Sequence, residues 1–379
     1  MASSALRWLI LVLAIVAEDA IAGTDAAVRL DSQMSSPRYL GAASCSSSSC
    51  HGGAGELHNQ FIVWSQRDFH QRASLILTNA RSARIAERLS INDASISTRC
   101  TVCHSPLTTI SPTRLSDKNH PDNGVSCESC HGPAEAWLRS HTRRDYTYAM
   151  RVSTGMRDLR NWYVRANACV ACHQTVDTDV IAAGHPRLVF ELSTQTKAQP
   201  PHWRDPDDSP VRTWLTGQAV ALRELSWKMQ GNGRNSDPDA LAQTSALAWL
   251  LSKVTSSDRS LPPILEDADS DTLQRAADQL ARHVSARTFE NGYSNTVLQV
   301  LTSLAAEFSG SSPVPADAVF YRAKRLALAC VALSETSGHP PVASAELERI
   351  LEDVSSPINF NASAFAEHLA AWRPIATKQ

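Results

Sequence analysis

The chain has 379 residues, enough for two ordinary domains that each bury a core without help. A formal net charge of −2 offers no basic attraction for nucleic acid, and 43% hydrophobic residues is the composition of a soluble globular protein. After the leader, no stretch is apolar for long enough to cross a membrane.

The first 22 residues form a secretory pattern: one positive residue, Arg7, then an apolar run from Trp8 to Ala17, then Ala20-Ile21-Ala22 before Gly23. Cleavage after Ala22 is expected, leaving a chain that is periplasmic or otherwise exported and soluble after signal-peptide removal. An uncleaved anchor is the alternative, and it also leaves the rest of the chain outside the cytoplasm.

Next come the cysteines, which fall into pairs: "CSSSSCH" (Cys45, Cys50, His51), "CTVCH" (Cys100, Cys103, His104), "CESCH" (Cys127, Cys130, His131) and "CVACH" (Cys169, Cys172, His173). Between the first two lies "QFIVWSQRDFHQRASLILTNARSARIAERL", helical in pattern. After the third, Gly132 and Pro133 turn the chain, and "PAEAWLRSH" reads as a short helix ending at His141. The proline- and aspartate-rich "QPPHWRDPDDSP", around residues 199 to 210, closes this region.

Beyond it cysteine nearly vanishes, and alanine, leucine and arginine take over in segments of helical period. About seven helices are predicted, in an antiparallel bundle or helical layer. Asp237 and Pro238 mark one start, and "SDTLQRAADQLARHV" puts Leu273, Ala276, Ala277, Leu280 and Val284 on one face. Cys330, in "RLALACVALS", reads as a small core residue.

Exported cysteines invite a disulfide reading, but disulfides give no reason for a histidine behind every pair. Covalent haem attachment requires that histidine: two thiols form thioethers to the vinyl groups, and the adjacent imidazole becomes the proximal iron ligand. Zinc at Cys100/Cys103 with Cys127/Cys130, or two-cysteine redox pairs, would leave the four histidines unexplained. Four haem c groups are therefore expected, bound by Cys45, Cys50, Cys100, Cys103, Cys127, Cys130, Cys169 and Cys172, with His51, His104, His131 and His173 as proximal ligands. The four-serine loop of the first motif must bulge to present both sulfurs to one porphyrin edge. If it does not attach haem, Cys45 and Cys50 form a disulfide and three haems remain.

His141 lies roughly 12 Å along a helix rising about 1.5 Å per residue from the third motif. The opposite face of the haem held by His131 is nearer than that, so His141 is expected to ligate a neighbour, and the haems are packed together. His70, His141, His185 and His202 are the candidate distal ligands, His185 for the fourth or second haem with Gly184 permitting close backbone approach. His58 and His120 read as solvated or locally hydrogen-bonded, and His283, His339 and His368 as structural. Trp64, Trp137, Trp162 and Trp203 are candidates for packing on porphyrin, against ordinary core burial. Arg139, Arg143, Arg144 and Arg151 are candidates for pairing with propionates, against a solvated basic stretch.

Residues 38 to about 205 resemble the tetrahaem cytochromes c of the c-554 type, on "RYLGAASCSSSSCHGG", "FIVWSQRDFHQRA", "GVSCESCHGPAEAWLRSH" and "ACVACHQTVDTDVIAAGHPRLVFEL". The resemblance implies that His70 ligates the iron bound by His131, and His141 the iron bound by His51. It also implies a five-coordinate haem at the second motif, which Cys100, Cys103 and His104 match.

The expected organisation is mainly α: a signal peptide at 1–22, a tetrahaem cytochrome c domain at 23–205 with a haem-filled core and long loops, and an all-α domain at 211–379. Bis-histidine haems at close range make an electron carrier of low potential. Its partners would be donor and acceptor cytochromes or a quinone-linked oxidoreductase, with no nucleic acid; a homo-oligomer or multi-subunit complex through 211–379 stays open. The alternative function is a haem enzyme reducing nitric oxide, nitrite, hydroxylamine or a sulfur species at one open haem. A third is a sensor or scaffold built on the helical domain.

Overall fold

The computed structural model describes residues 36–118, 123–203, 209–230, 238–310, 314–334 and 345–372. The predicted leader, Asp237, His120 and His339 lie outside these ranges. The fold is mainly α, as expected. Among the described residues the extended pairing is a single parallel bridge, Tyr39 to Leu115, with the Ser116 N–H donating to the Tyr39 carbonyl at 2.9 Å.

The first half carries α1 (Gln60–Arg67), α2 (Ala80–Arg88), α3 (Thr98–His104), α4 (Cys127–His131) and α5 (Tyr148–Ser153). The helical pattern over 60–89 is not one helix. It breaks at Asp68, whose buried carboxylate accepts the His70 backbone N–H at 3.0 Å and so stops the α1 ladder. Two 3-10 turns follow, Phe69–Arg72 and Leu75–Thr78, before the Asn79 side chain caps α2 by accepting from the Ser82 N–H at 2.9 Å.

The expected helix from Pro133 to Ser140 is likewise a run of turns ending in a 3-10 turn, Ser140–Thr142. The His141 N–H still donates to the Trp137 carbonyl at 2.9 Å, but a segment this short has too little ladder to propagate. Apolar core is scarce in this half. Leu77, Ala86 and Ala94 form a small cluster of their own, with Ile91 and Cys100 at its rim.

The chain continues through α6 (Trp162–His173), α7 (Thr178–Ala182) and α8 (Leu192–Ala198). The seven predicted helices then follow as α9 (Pro210–Gln230), α10 (Pro238–Ser257), α11 (Ser270–Ala286), α12 (Tyr293–Ser303), α13 (Ala316–Ser334), α14 (Ala345–Asp353) and α15 (Ala362–Ala371). Helix α9 packs along α11 and α10 along α13, while α14 and α15 pack on each other. Leu273, Ala277, Leu280 and Val284 are buried as the period predicts, with Ala276 at the core's edge. Cys330 has no exposed surface, and burial pushes its thiol up to about 12.

This core does not stop at the composition change near residue 205. It runs on through Leu192, Phe190, Val170, Ala166 and Trp162, so the helix bearing the fourth motif packs against α9 and α11.

Candidate haem-ligating centre

Three attachment motifs sit at the C-terminal ends of helices. Helix α3 ends on His104 and α6 on His173; α4 is the third motif itself, opened by a capping box between Ser126 and Ser129. The first motif is built differently. A 3-10 turn, Ala42–Cys45, leads into a serine loop that folds back, with the Cys50 N–H donating to the Ser47 carbonyl at 2.9 Å and the His51 N–H to the Cys45 carbonyl at 3.2 Å. All nine cysteines are free thiols. The Cys45 thiol meets Cys127, and Cys103 meets Cys172, which sets the first motif beside the third and the second beside the fourth.

Each motif histidine faces a second imidazole from elsewhere in the chain. His51 and His141 have ring centres 6.1 Å apart and planes at 18°. His70 and His173 lie at 6.0 Å and 81°, His104 and His185 at 6.5 Å and 75°, and His131 and His202 at 6.5 Å and 70°. A metal–imidazole bond of about 2 Å on each side, with each ring centre about 1 Å behind its nitrogen, puts two axial ligands about 6 Å apart. All four ring-centre separations lie close to that value.

His141 faces His51. The resemblance pairs His70 with the iron of His131, whereas here His70 faces His173, and His131 faces His202. The break at Asp68 turns the chain so that His70 reaches the fourth motif, while the prolines of "PPHW" carry His202 to the third. His185 goes to the second motif, held by Gly184, whose carbonyl accepts from Arg81 Nη2 at 2.8 Å. His58 is exposed, its Nδ1 donating to the Cys50 carbonyl at 2.8 Å, and His368 pairs with Asp353 at 2.7 Å.

Six of the eight facing rings have an acceptor on Nδ1, which leaves Nε2 for a metal. His104 donates to the Ala73 carbonyl at 3.0 Å, His141 to Leu138 at 2.5 Å, His185 to Pro186 at 2.8 Å and His202 to Pro200 at 3.5 Å. His51 meets Gln60 Oε1 at 2.8 Å, and Gln60 is oriented by donating to the Glu56 carbonyl. His70 Nδ1 meets the Asp68 carboxylate at 2.9 Å, which also accepts from Gln199 Nε2 at 2.9 Å. Burial lowers His104, His141, His173 and His202, and pushes His131 down to about 4 with His202 adding to it. These rings are therefore held in the neutral form that ligates iron.

Sequence reasoning missed Glu128, one of the two residues between the third pair of cysteines. Its carboxylate is buried and accepts three backbone N–H groups: Leu40 at 2.9 Å, Gly41 at 2.7 Å and Ala134 at 2.7 Å. It thereby fastens the lead-in to the first motif onto the third. Gly124, at φ 57°, lies directly against His70, where a Cβ would lie 2.4 Å from the His70 carbonyl oxygen.

Trp137 and Trp203 stand edge-on to His141 and His202, with ring centres 5.5 and 4.9 Å away. Trp162 instead belongs to the apolar core of the helical half, and Trp64 is buried with its Nε1 donating to the Val125 carbonyl at 3.0 Å. Arg143 is engaged by Asp145 at 2.5 Å.

Residues 44–132 match the family model described as Cytochrome c554 and c-prime. The matched stretch contains the first three motifs and is similar to cytochromes of the c-554 type. No curated protein and no solved structure matches the chain.

Proposed function

We propose that the protein is an exported tetrahaem cytochrome c, at work in the periplasm, that carries electrons between redox partners, with the eight facing histidines as axial ligands. The single observation behind this is that every motif histidine has an imidazole opposite it at the spacing of two axial ligands. Each pair joins two segments distant in sequence. Bound haem c supplies a one-electron iron couple whose potential two histidines keep low relative to methionine ligation.

The chain's part is to hold both axial positions and to keep the first site beside the third, through the Glu128 carboxylate that binds Leu40, Gly41 and Ala134. The enzymatic alternative needs an open face at one motif, and the resemblance points to the second. There His185 stands opposite His104, which favours the carrier. Donor and acceptor cytochromes or a quinone-linked oxidoreductase are the proposed partners, and the helical half leaves room for a larger assembly.

The intact mass of the exported protein, with its pyridine haemochrome spectrum, tests the reading. Four haems per chain are expected. Three would remove "CSSSSCH" as an attachment site, and none would end the reading.

A further inference from the structure

Past Trp162, where the shared core begins, lie three of the candidate ligands, His173 at the end of α6, His185 after α7 and His202 after α8. Each faces an imidazole of the first half, His70, His104 and His131 respectively, so three of the four sites straddle the seam. The helix that carries the fourth motif also has apolar packing of its own. Trp162, Ala166 and Val170 of α6 are buried in the same core as Leu215, Leu222, Leu280 and Val284.

A polar clamp closes over the outer face of α6. Tyr163 donates its hydroxyl hydrogen to Asp278 Oδ1 at 2.6 Å, and Arg223 Nη1 donates to the same oxygen at 2.9 Å. Arg223 Nη2 reaches Asn167 Oδ1 at 2.5 Å, and the Arg282 guanidinium lies 4.3 Å over the Tyr163 ring. Past the motif, Lys228 Nζ donates to the Val176 carbonyl at 2.5 Å, and the Phe190 N–H donates to Oε1 of Gln174, the residue after His173. Arg187, two residues after His185, pairs with Asp239 of α10 at 2.8 Å.

Among the described residues the apolar cluster beside the first three motifs is small, Leu77, Ala86 and Ala94, and the ties there are polar, through Glu128 and through Arg157 to the Ser129 and Cys130 carbonyls. Below a certain apolar area a segment cannot offset its own ordering entropy.

We propose that the helical half is the positioning scaffold of the fourth haem site: residues 162–198 fold with it in the absence of haem, and the Tyr163–Asp278–Arg223 clamp sets where His173 stands, while residues 36–160 order only on haem attachment. This rests on the tetrahaem reading and assigns a role to the half that the family match does not reach. Tyr163, Asp278 and Arg223 are positioning residues; none touches a facing imidazole.

The test is amide hydrogen exchange on the full chain prepared without haem, beside the loaded protein. Slow exchange is expected across α6 and α9 to α13 in the haem-free chain, with α3 and α4 exchanging at the rate of an unfolded segment. Protection of α3 and α4 equal to that of α6, or no protection of α6, would overturn the proposal. In the loaded protein, Arg223→Ala with Tyr163→Phe should shift one of four midpoint potentials and leave three in place. Four unmoved potentials would also overturn it. Should the double variant fail to fold, Tyr163→Phe alone removes one hydrogen bond and is read the same way. A wild-type protein that carries no haem would sink the cytochrome reading while leaving the exchange result standing, so the two failures are distinguishable.

Discussion

His104, at the C-terminal end of α3, faces His185 of the loop after α7 with ring centres 6.5 Å apart. Both Nδ1 atoms donate to backbone carbonyls, of Ala73 and Pro186, so both Nε2 atoms are free to meet one iron. The second motif is where an open site would have to be. The resting ferric protein should therefore be entirely low-spin and should not change on adding cyanide or nitric oxide. His185→Ala should open this face and produce a high-spin signal that those ligands shift. A high-spin component in the wild type would return the enzymatic reading to first place.

The ring planes give a finer test. His51 and His141 are near parallel at 18°, while the other three pairs cross at 70° to 81°. The relative orientation of two axial imidazole planes sets the splitting of the iron d orbitals, a lever that acts through the ligands alone. Electron paramagnetic resonance of the oxidised protein should show two classes of low-spin signal in a ratio near one to three. His141→Met should remove the minor class and raise that site's potential. Four equivalent signals would contradict the pairing.

Asp68 both ends α1 and orients His70. Its carboxylate is buried and shared among the His70 backbone N–H, His70 Nδ1 and Gln199. Loss of such a partner typically weakens a metal–histidine bond about 10- to 100-fold. Asp68→Ala should loosen the ligand at the His173 site and raise its potential, because a neutral surrounding no longer adds basicity to the imidazole. Asp68→Asn keeps an acceptor and should move it less. Spectroelectrochemical titration reads both, and equal shifts in the two variants would reject the orienting role.

Glu128 makes the strongest stability prediction. Three backbone donors converge on one buried carboxylate, and Glu128→Ala would leave them unpaired in a site that water cannot easily enter. The cost should be roughly 3–5 kcal/mol. It should appear as a lowered denaturation midpoint and as proteolytic cutting near residues 36–41 that the wild type resists. A change under about 1 kcal/mol would mean that the lead-in is held by other contacts.

These residues show what could be read in advance. The four cysteine pairs with a histidine behind each stand out because covalent attachment would impose that spacing, and the seven helices of 210–371 were legible because burying one face imposes a period. The opposite ligands were only half legible. His141 could be argued from its distance to His131, but the pairing of His70 depends on how the chain returns through space, and the break that decides it is a single carboxylate two residues away. Asp68 before His70 is an Asx-type local bond that a reading of apolar period overlooks. Glu128 is hidden for another reason: it occupies a position within the third motif that haem attachment leaves free, so the motif draws attention away from it. Composition changes near residue 205, while the apolar core shared with the helical half begins at Trp162.

Glu191 carries the pH prediction. It lies in the shared core, 5% exposed, with Oε1 3.7 Å from Nη1 of Arg325, itself 3% exposed. Burial pushes its carboxyl up to about 7 against the pull of Arg325 and the Gln218 side chain, and burial likewise lowers Arg325. The sign follows from proton binding. Between the ordinary carboxyl value and about 7, the folded chain holds a proton that the unfolded chain has released, so stability is greatest below that window and falls as pH rises through it. The loss should reach roughly 3 kcal/mol by pH 8 and stay level above it. Glu191→Gln removes the titration without changing the shape, so its stability should be flat from pH 5 to 8 even though Arg325 then lacks a countercharge at every pH. Denaturant unfolding of wild type and variant across that range, followed by the circular dichroism of the helical half, measures the difference. Parallel curves would show that Glu191 stays ionised and paired throughout.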